Sequence, residues 1–141
     1  MPKISPAEMI KTTLSEILIL LEMKADLEVA EESSDHYKIN IITDETGLLI
    51  GRHGEVLNSL QLLLGVILYK KTGEWVRVVL DVGGYRVARE ENIKGMVDRI
   101  AKEVEISGQP VVLPYLTPLE RRQVHMLLAD HLVVMSVSEG E

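Results

Sequence analysis

Two glycines three positions apart, Gly51 and Gly54, constrain the fold of this chain most, because they lie between two segments with helical periodicity. The first segment is about one apolar turn of helix over residues 44–50, and the second carries an apolar stripe. Glycine accepts backbone angles that other residues avoid, so the pair predicts a tight turn between two helices. The apolar stripe consists of Leu57, Leu60, Leu64, Ile67 and Leu68.

This Gly-x-x-Gly turn also has the features of an anion-binding site. Without Cβ atoms, Gly51 and Gly54 would let a ligand approach the backbone. Free N–H groups at the start of the second helix favour phosphate, and Arg52 and His53 would project outward. The sequence has neither the Lys-Ser/Thr of a P-loop nor the Gly-x-Gly-x-x-Gly of a dinucleotide site. For the isolated motif, a purely steric turn between helices is the alternative.

The residues around the turn predict a mixed α and β domain over residues 1–82. A helix from Ser5 to about Lys24 is expected, because Ser5-Pro6-Ala7-Glu8 is a helix-start pattern. Alternating or β-branched residues predict a hairpin before the turn and a third strand after the second helix. The predicted strands are Asp26–Glu31, His36–Thr43 and Trp75–Leu80.

A second, smaller α+β domain is predicted over residues 83–141. Its first helix is expected from Tyr85 to about Ile106, with Val87 on the apolar face. Its second is expected from Thr117 to about Ala129, where Thr-Pro-Leu-Glu repeats the helix-start pattern. Two short strands are predicted, Pro110–Leu113 and Leu132–Val137.

The second helix of this domain carries a basic face. At about 100° per residue, four side chains fall within one sector roughly 100° wide. They are Arg121, Arg122, His125 and Ala129. Two guanidiniums, an imidazole and a small residue fit a phosphate site. The alternative is a solvated helix face, with His125 half-buried and Arg121 paired to a carboxylate.

The net charge of -7 is unevenly distributed along the chain. Such a total is opposite to the basic character of most nucleic-acid binders. Residues 1–50, however, hold 4 basic and 10 acidic side chains and account for six of the seven charges. The rest of the chain is nearly balanced and can form local positive surfaces.

Other residue types exclude several classes of site. Cysteine is absent and the four histidines show no HExxH pairing, so neither a metal nor another cofactor is predicted. The most apolar N-terminal stretch, Leu14–Met23, is interrupted by Glu16 and Glu22. It fits neither a membrane span nor a signal peptide, and a cytoplasmic protein is predicted.

The order of predicted elements over residues 5–82 resembles a type II K-homology (KH) domain, a three-stranded sheet with helices on one face. Ile50–Leu57, which contains the glycine turn, is similar to that family's signature. The pattern over residues 84–141, with Arg121-x-x-x-His125, is similar to the bacterial Arg-x-x-x-His (R-three-H) single-stranded nucleic-acid-binding domain. In this order the two domains resemble the Jag/KhpB/EloR family, also called the stage III sporulation protein J-associated family.

The resemblance implies a non-enzymatic single-stranded RNA-binding protein, an RNA chaperone or post-transcriptional regulator linked to cell elongation and envelope growth. It implies RNA contacts from Gly51, Arg52, His53 and Gly54, and phosphate contacts from Arg121, Arg122 and His125. Lys70, Lys71 and Arg77 would extend the groove. It also implies binding of single-stranded DNA, and pairing as a homodimer or with a small stand-alone KH protein. Because relatives usually continue into a last strand, the second domain is expected to lack one.

Two other functions compete with RNA binding. The acidic N-terminal region and the apolar helix over residues 5–24 would suit a protein interaction or dimerisation module with a minor nucleic-acid role. An enzyme would use His53 or His125 as a general base in RNA cleavage, but no second acid or base lies beside either in sequence. Trp75, at a predicted strand start, is interpreted as a partly buried packing residue rather than a base-stacking platform.

Overall fold

The computed structural model describes residues 3–140 and separates the chain into two compact units, with the division between Arg86 and Val87. The first unit contains a three-stranded sheet with its helices, and the second contains helices and irregular segments. The mixed α+β class predicted from the sequence is confirmed. In the described part of the chain, no helix is long and apolar enough to cross a membrane.

The first helix, α1 (Pro6–Leu20), begins at a capping box. The hydroxyl of Ser5 accepts a hydrogen bond from the Glu8 N–H, and the Glu8 carboxylate accepts one from the Ser5 N–H. The predicted helix start is therefore confirmed. The predicted end near Lys24 is wrong, because the backbone leaves the helical conformation earlier and Glu22 has a φ of 57°.

Strands β1 (Asp26–Ser33), β2 (His36–Ile42) and β3 (Arg77–Val82) form one sheet in the order β1-β2-β3. The first pair is antiparallel and the second is parallel. The predicted hairpin is confirmed, whereas β3 lies further along the chain than predicted. Its predicted first residue, Trp75, instead stacks on Tyr69 with ring centroids 4.6 Å apart.

One face of the sheet packs against α1 and α3 (Glu55–Thr72) to form the core of the first unit. Alternate residues of β2 and β3 point into this core, as the period of a strand requires. The apolar stripe of α3 packs against these strand residues, although Ile67 in the stripe is only half-buried. Buried strand and α3 residues include Tyr37, Ile39, Ile41, Val78, Leu80, Val82, Leu57, Leu60, Leu64 and Leu68. This is the predicted type II arrangement.

The second unit is built on α4 (Tyr85–Ser107), whose first two residues belong to the first unit, and α5 (Pro118–Leu128). A small core joins the two helices and the segment between them. Its buried residues are Ile93, Val97, Leu116 and Val124. Val87, predicted on the apolar face of α4, is 64% exposed, so that assignment is wrong.

Neither of the strands predicted for the second unit is present among its described residues. A strand requires a neighbour that pairs with its backbone N–H and C=O groups. Pro110–Leu113 and Leu132–Val137 have no such neighbour here, and the side chain of Leu132 is 98% exposed. Both strand predictions are therefore wrong for this structure.

Candidate nucleic-acid interface

The Gly-x-x-Gly turn connects α2 (Thr46–Ile50) to α3 through a single 3-10 turn over Arg52–Gly54. Gly51, His53 and Gly54 have positive φ angles of 70°, 55° and 83°. Glycine adopts such angles readily, whereas His53 is in a conformation uncommon for a residue with a Cβ. The predicted tight connection between two helices is confirmed.

Contacts within the protein require both glycines. A Cβ at Gly51 would collide with Cγ2 of Val56, and a Cβ at Gly54 would lie 2.9 Å from Cε1 of Tyr85. The space left by the missing Cβ atoms is therefore occupied by protein side chains. This differs from the expectation that the glycines leave that space to a ligand.

The two middle residues of the turn lie beside the start of α3. Arg52 is exposed and His53 is half-buried. Gly54 is the N-cap of α3, and within the described residues no side chain caps this end by a hydrogen bond. The N–H groups of the first turn therefore favour an anion, although Glu55 in that turn places a carboxylate nearby.

A hydrogen-bonded network centred on Arg86 lies along α3 and β3. Its Nε donates to the carbonyl of Leu80 (2.7 Å), Nη1 to Oδ1 of Asn58 (2.9 Å) and Nη2 to Oε1 of Gln61 (2.9 Å). Gln61 Oε1 also accepts from the Leu80 N–H (2.9 Å). Burial lowers the pKa of Arg86, and the carboxylate of Asp81 opposes this.

Sequence reasoning missed Tyr85 and Arg86 as neighbours of the glycine turn. They follow β3 and are far from Gly54 along the chain, so neither periodicity nor spacing relates them to it. The available signal was the Gly83-Gly84 pair that precedes them, at the predicted boundary between the two domains. Tyr85 and Arg86 directly follow this pair, where the chain returns to the turn.

The basic residues proposed to extend the groove lie at the opposite end of α3. At 1.5 Å per residue, Lys70 is about 24 Å from Gly54 along the helix axis. Lys71 Nζ donates to Oγ1 of Thr13 (3.2 Å) and lies 3.9 Å from a carboxylate oxygen of α1. Arg77 is exposed at the start of β3. The structure therefore does not bring these three residues together with the turn.

In the second unit, α5 carries the predicted basic face. Arg122 is exposed, whereas Arg121 and His125 are half-buried. Nδ1 of His125 lies 2.5 Å from the hydroxyl oxygen of Ser136, in the irregular segment after α5. This contact fixes the orientation of the imidazole ring. Ala129 is the C-cap of α5 and lies outside the helix proper.

Polar contacts with α4 hold the start of α5 in place. Arg89 and Glu120 form an ion pair, with Nε 2.9 Å from Oε1. Gln123 donates to the carbonyl of Glu90 (3.1 Å). Over residues 3–140, no group of three or more His, Asp or Glu residues could hold a metal ion.

Two known domain families match the two parts of this chain. The sequence model of the KhpA/KhpB KH domain matches residues 7–81, more than half of the chain. The chain belongs to the Jag/KhpB family. The R-three-H domain matches residues 91–141, so the order of the two domains also agrees with the resemblance. The KH domain contains the glycine turn, and the R-three-H domain contains the basic face of α5.

Curated relatives of this Jag/KhpB family member are named RNA-binding protein KhpB. The protein from Clostridium symbiosum is 32% identical over 91% of this chain and 58% of its own length. The protein from Lactiplantibacillus plantarum is 37% identical over 85% of this chain and 37% of its own length. The protein from Bacillus subtilis is 29% identical over 99% and 68%. The chain thus spans about half the length of these relatives.

Proposed function

We propose that this chain is a non-enzymatic protein that binds single-stranded RNA through the Gly51–Gly54 turn. The observation that carries the proposal is the turn itself, which holds exposed Arg52 and half-buried His53 beside the open N-terminus of α3. KH domains clamp the backbone of about four nucleotides with such a loop. The relatives, which are named RNA-binding proteins, support the same ligand.

The R-three-H domain would add phosphate contacts through Arg121, Arg122 and His125. All three lie on α5, and the contact between His125 and Ser136 restricts the imidazole to one orientation. These groups bind a sugar-phosphate backbone without reading its sequence, so single-stranded DNA is a further ligand. We propose domain limits at residues 1–82 and 83–141, whereas the two compact units divide four residues later, between Arg86 and Val87.

The proposal is tested by titrating fluorescent single-stranded RNA at several salt concentrations. Replacing Arg52 and His53 together by Asp should remove most of the affinity, because two carboxylates would then face phosphates. The matched control is K11D/T12D, with the same charge change at two exposed positions of α1. Wild type should lose affinity with salt at a log-log slope of roughly -0.7 per phosphate contacted.

The control variant should bind RNA nearly as wild type does. A folded R52D/H53D variant with wild-type affinity would reject the role of the turn. Turnover of labelled RNA that is lost in His125→Ala would instead reject the non-enzymatic assignment.

The cellular role follows from the family alone. We infer an RNA chaperone or post-transcriptional regulator in the cytoplasm, linked to cell elongation and envelope growth. Crosslinking to cellular RNA followed by sequencing tests this role, with R52D/H53D as the control. Recovered transcripts should depend on the turn, and cells that carry only the variant should show altered length.

A dimerisation module is the second candidate function, and an exposed apolar surface on α3 favours it. Leu62, Val66 and Tyr69 recur at helical spacing on the exposed side of this helix, and Trp75 stacks on Tyr69 while remaining 63% exposed. Such a surface would suit pairing as a homodimer or with a small stand-alone KH protein. Sedimentation with and without RNA separates the two functions, because a stable dimer indifferent to RNA favours this one.

A further inference from the structure

The guanidinium of Arg86 lies on the same side of α3 as the glycine turn. Asn58 and Gln61 are three residues apart and share one face of α3, and Gly54 is the N-cap at the start of this helix. Because Arg86 donates to both Asn58 and Gln61, its guanidinium is between about 6 and 10 Å from Gly54 along the helix axis. The ring of Tyr85 contacts Gly54, so the start of α4 also adjoins the turn.

The network leaves hydrogen-bonding capacity on Arg86. A guanidinium has five N–H groups, and three of those on Arg86 have partners among residues 3–140. One N–H group on each terminal nitrogen has none in that part of the chain. The three partners are a carbonyl and two amides, which are neutral and do not cancel the positive charge.

The nearby carboxylate of Asp81 is occupied by other groups. It is buried and accepts hydrogen bonds from the backbone N–H groups of Val82 (2.9 Å) and Arg86 (3.3 Å). Among residues 3–140, no carboxylate forms an ion pair with the Arg86 guanidinium. A cation fixed by neutral partners, with two donors to spare, has the chemistry of a phosphate site.

We propose that Arg86 is an additional phosphate contact of the RNA-binding surface, positioned by Asn58 and Gln61. This inference rests on the proposed function, because Arg86 would contact the next phosphate of an RNA strand that the glycine turn holds. The exposed Asn58 places the Nη1 end of the guanidinium at the surface. Because the side chain is already held in place, binding a phosphate orders few additional torsions.

The test measures the salt dependence of RNA affinity for Arg86→Gln and Arg86→Lys. The control is Lys38→Gln, which removes one charge from an exposed position of β2 in the same unit. Loss of one phosphate contact should make the log-log slope of Arg86→Gln shallower by about 0.7 and weaken binding at low salt about tenfold. Arg86→Lys should keep the wild-type slope, since it retains the charge, and should bind RNA more weakly, since an ammonium lacks the fork of guanidinium donors.

An unchanged slope in a folded Arg86→Gln variant would overturn the phosphate assignment, even where affinity falls. A changed base preference at constant slope would overturn it as well, because Arg86 would then contact a base. Wild-type affinity in R52D/H53D would reject the proposed function separately.

Should Arg86→Gln fail to fold, Arg86→Lys is titrated against RNA carrying one uncharged methylphosphonate linkage at a time. If the loss of affinity from Arg86→Lys and the loss from one particular linkage are not additive, the contact is supported. If the two losses are additive at every linkage, the contact is contradicted.

Discussion

The ring of Tyr85 lies against Gly54, with Cε1 2.9 Å and the hydroxyl oxygen 3.4 Å from the position that a Cβ of residue 54 would occupy. This contact joins the first residue of α4 to the N-cap of α3. Gly54 is therefore required for two reasons: its φ is 83°, and the ring of Tyr85 leaves no room for a Cβ. The shape of the turn depends on the segment that follows β3.

Replacing Gly54 by Ala should destabilise the KH domain by about 1 to 2 kcal/mol through the left-handed backbone alone, with a further contribution from Tyr85. Urea unfolding measures the loss. In a Tyr85→Ala background, the further contribution should disappear and the backbone part should stay. The control is Gly65→Ala in α3, where a Cβ would make an ordinary contact 3.9 Å from Trp75. That variant should be more stable by up to about 1 kcal/mol, as helix propensity predicts.

Replacing Ser136 by Ala should destabilise the R-three-H domain by about 1 kcal/mol, because His125 loses its hydrogen-bond partner. Thermal unfolding measures the change. Ser138→Ala, at an exposed position of the same segment, is the matched control and should unfold as wild type does. Equal midpoints for the two variants would contradict a structural role for the Ser136 hydroxyl.

Replacing Thr117 by Ala should cost about 1 kcal/mol at the start of α5. The Thr117 hydroxyl accepts a hydrogen bond from the Glu120 N–H (3.3 Å), and the Glu120 carboxylate accepts one from the Thr117 N–H (3.0 Å). Thr117→Ser keeps the hydroxyl and should restore most of the stability. The same unfolding experiment separates the two variants, and a serine variant as weak as the alanine variant would refute the capping role.

Tyr37 should make the KH domain sensitive to alkali. Its side chain is 4% exposed, and burial raises its pKa above the ordinary value of about 10, with Glu31 and Asp35 adding to the effect. The folded protein thus holds this proton to higher pH than the unfolded chain does. The resulting stability is present below pH of about 10 and is lost as pH rises through the folded-state pKa.

Tyr37→Phe should therefore lose less stability than wild type between pH 9 and pH 11.5, an interval of about 2.5 units around the ordinary tyrosine pKa. Urea unfolding across this range measures the difference. Tyr115→Phe removes the same hydroxyl from an exposed tyrosine and is the control. Parallel curves for wild type and Tyr37→Phe would contradict the prediction.

Features set by neighbours in the chain could be predicted from the sequence. The capping boxes at Ser5 and Thr117 need only residues three positions apart, and both occur as predicted. The alternation in β2 and the stripe of α3 likewise identified seven of the fifteen buried core residues described in the KH domain. The glycine turn and the basic face of α5 also follow from local spacing.

Features set by distant partners could not be predicted in this way. The residues of Leu132–Val137 have the composition of a strand, but a strand also needs a neighbouring backbone, and none pairs with them in the described structure. Trp75 was assigned to β3 and instead stacks on Tyr69. In both cases the structure depends on a partner elsewhere in the fold, which the local pattern does not identify.

The sequence by itself determined the order of the elements in the KH domain and the position of the Gly-x-x-Gly turn, because hydrophobic period, capping and glycine freedom act over a few residues. The type II arrangement was implied by the resemblance to the family. Only the tertiary structure decided what surrounds that turn. Tyr85 occupies the space beside Gly54, and Arg86 reaches Asn58 and Gln61, because β3 follows α3 and runs parallel to β2, which brings the chain back to the start of α3. Contacts made by such a return depend on three-dimensional proximity, which no local pattern in the chain records.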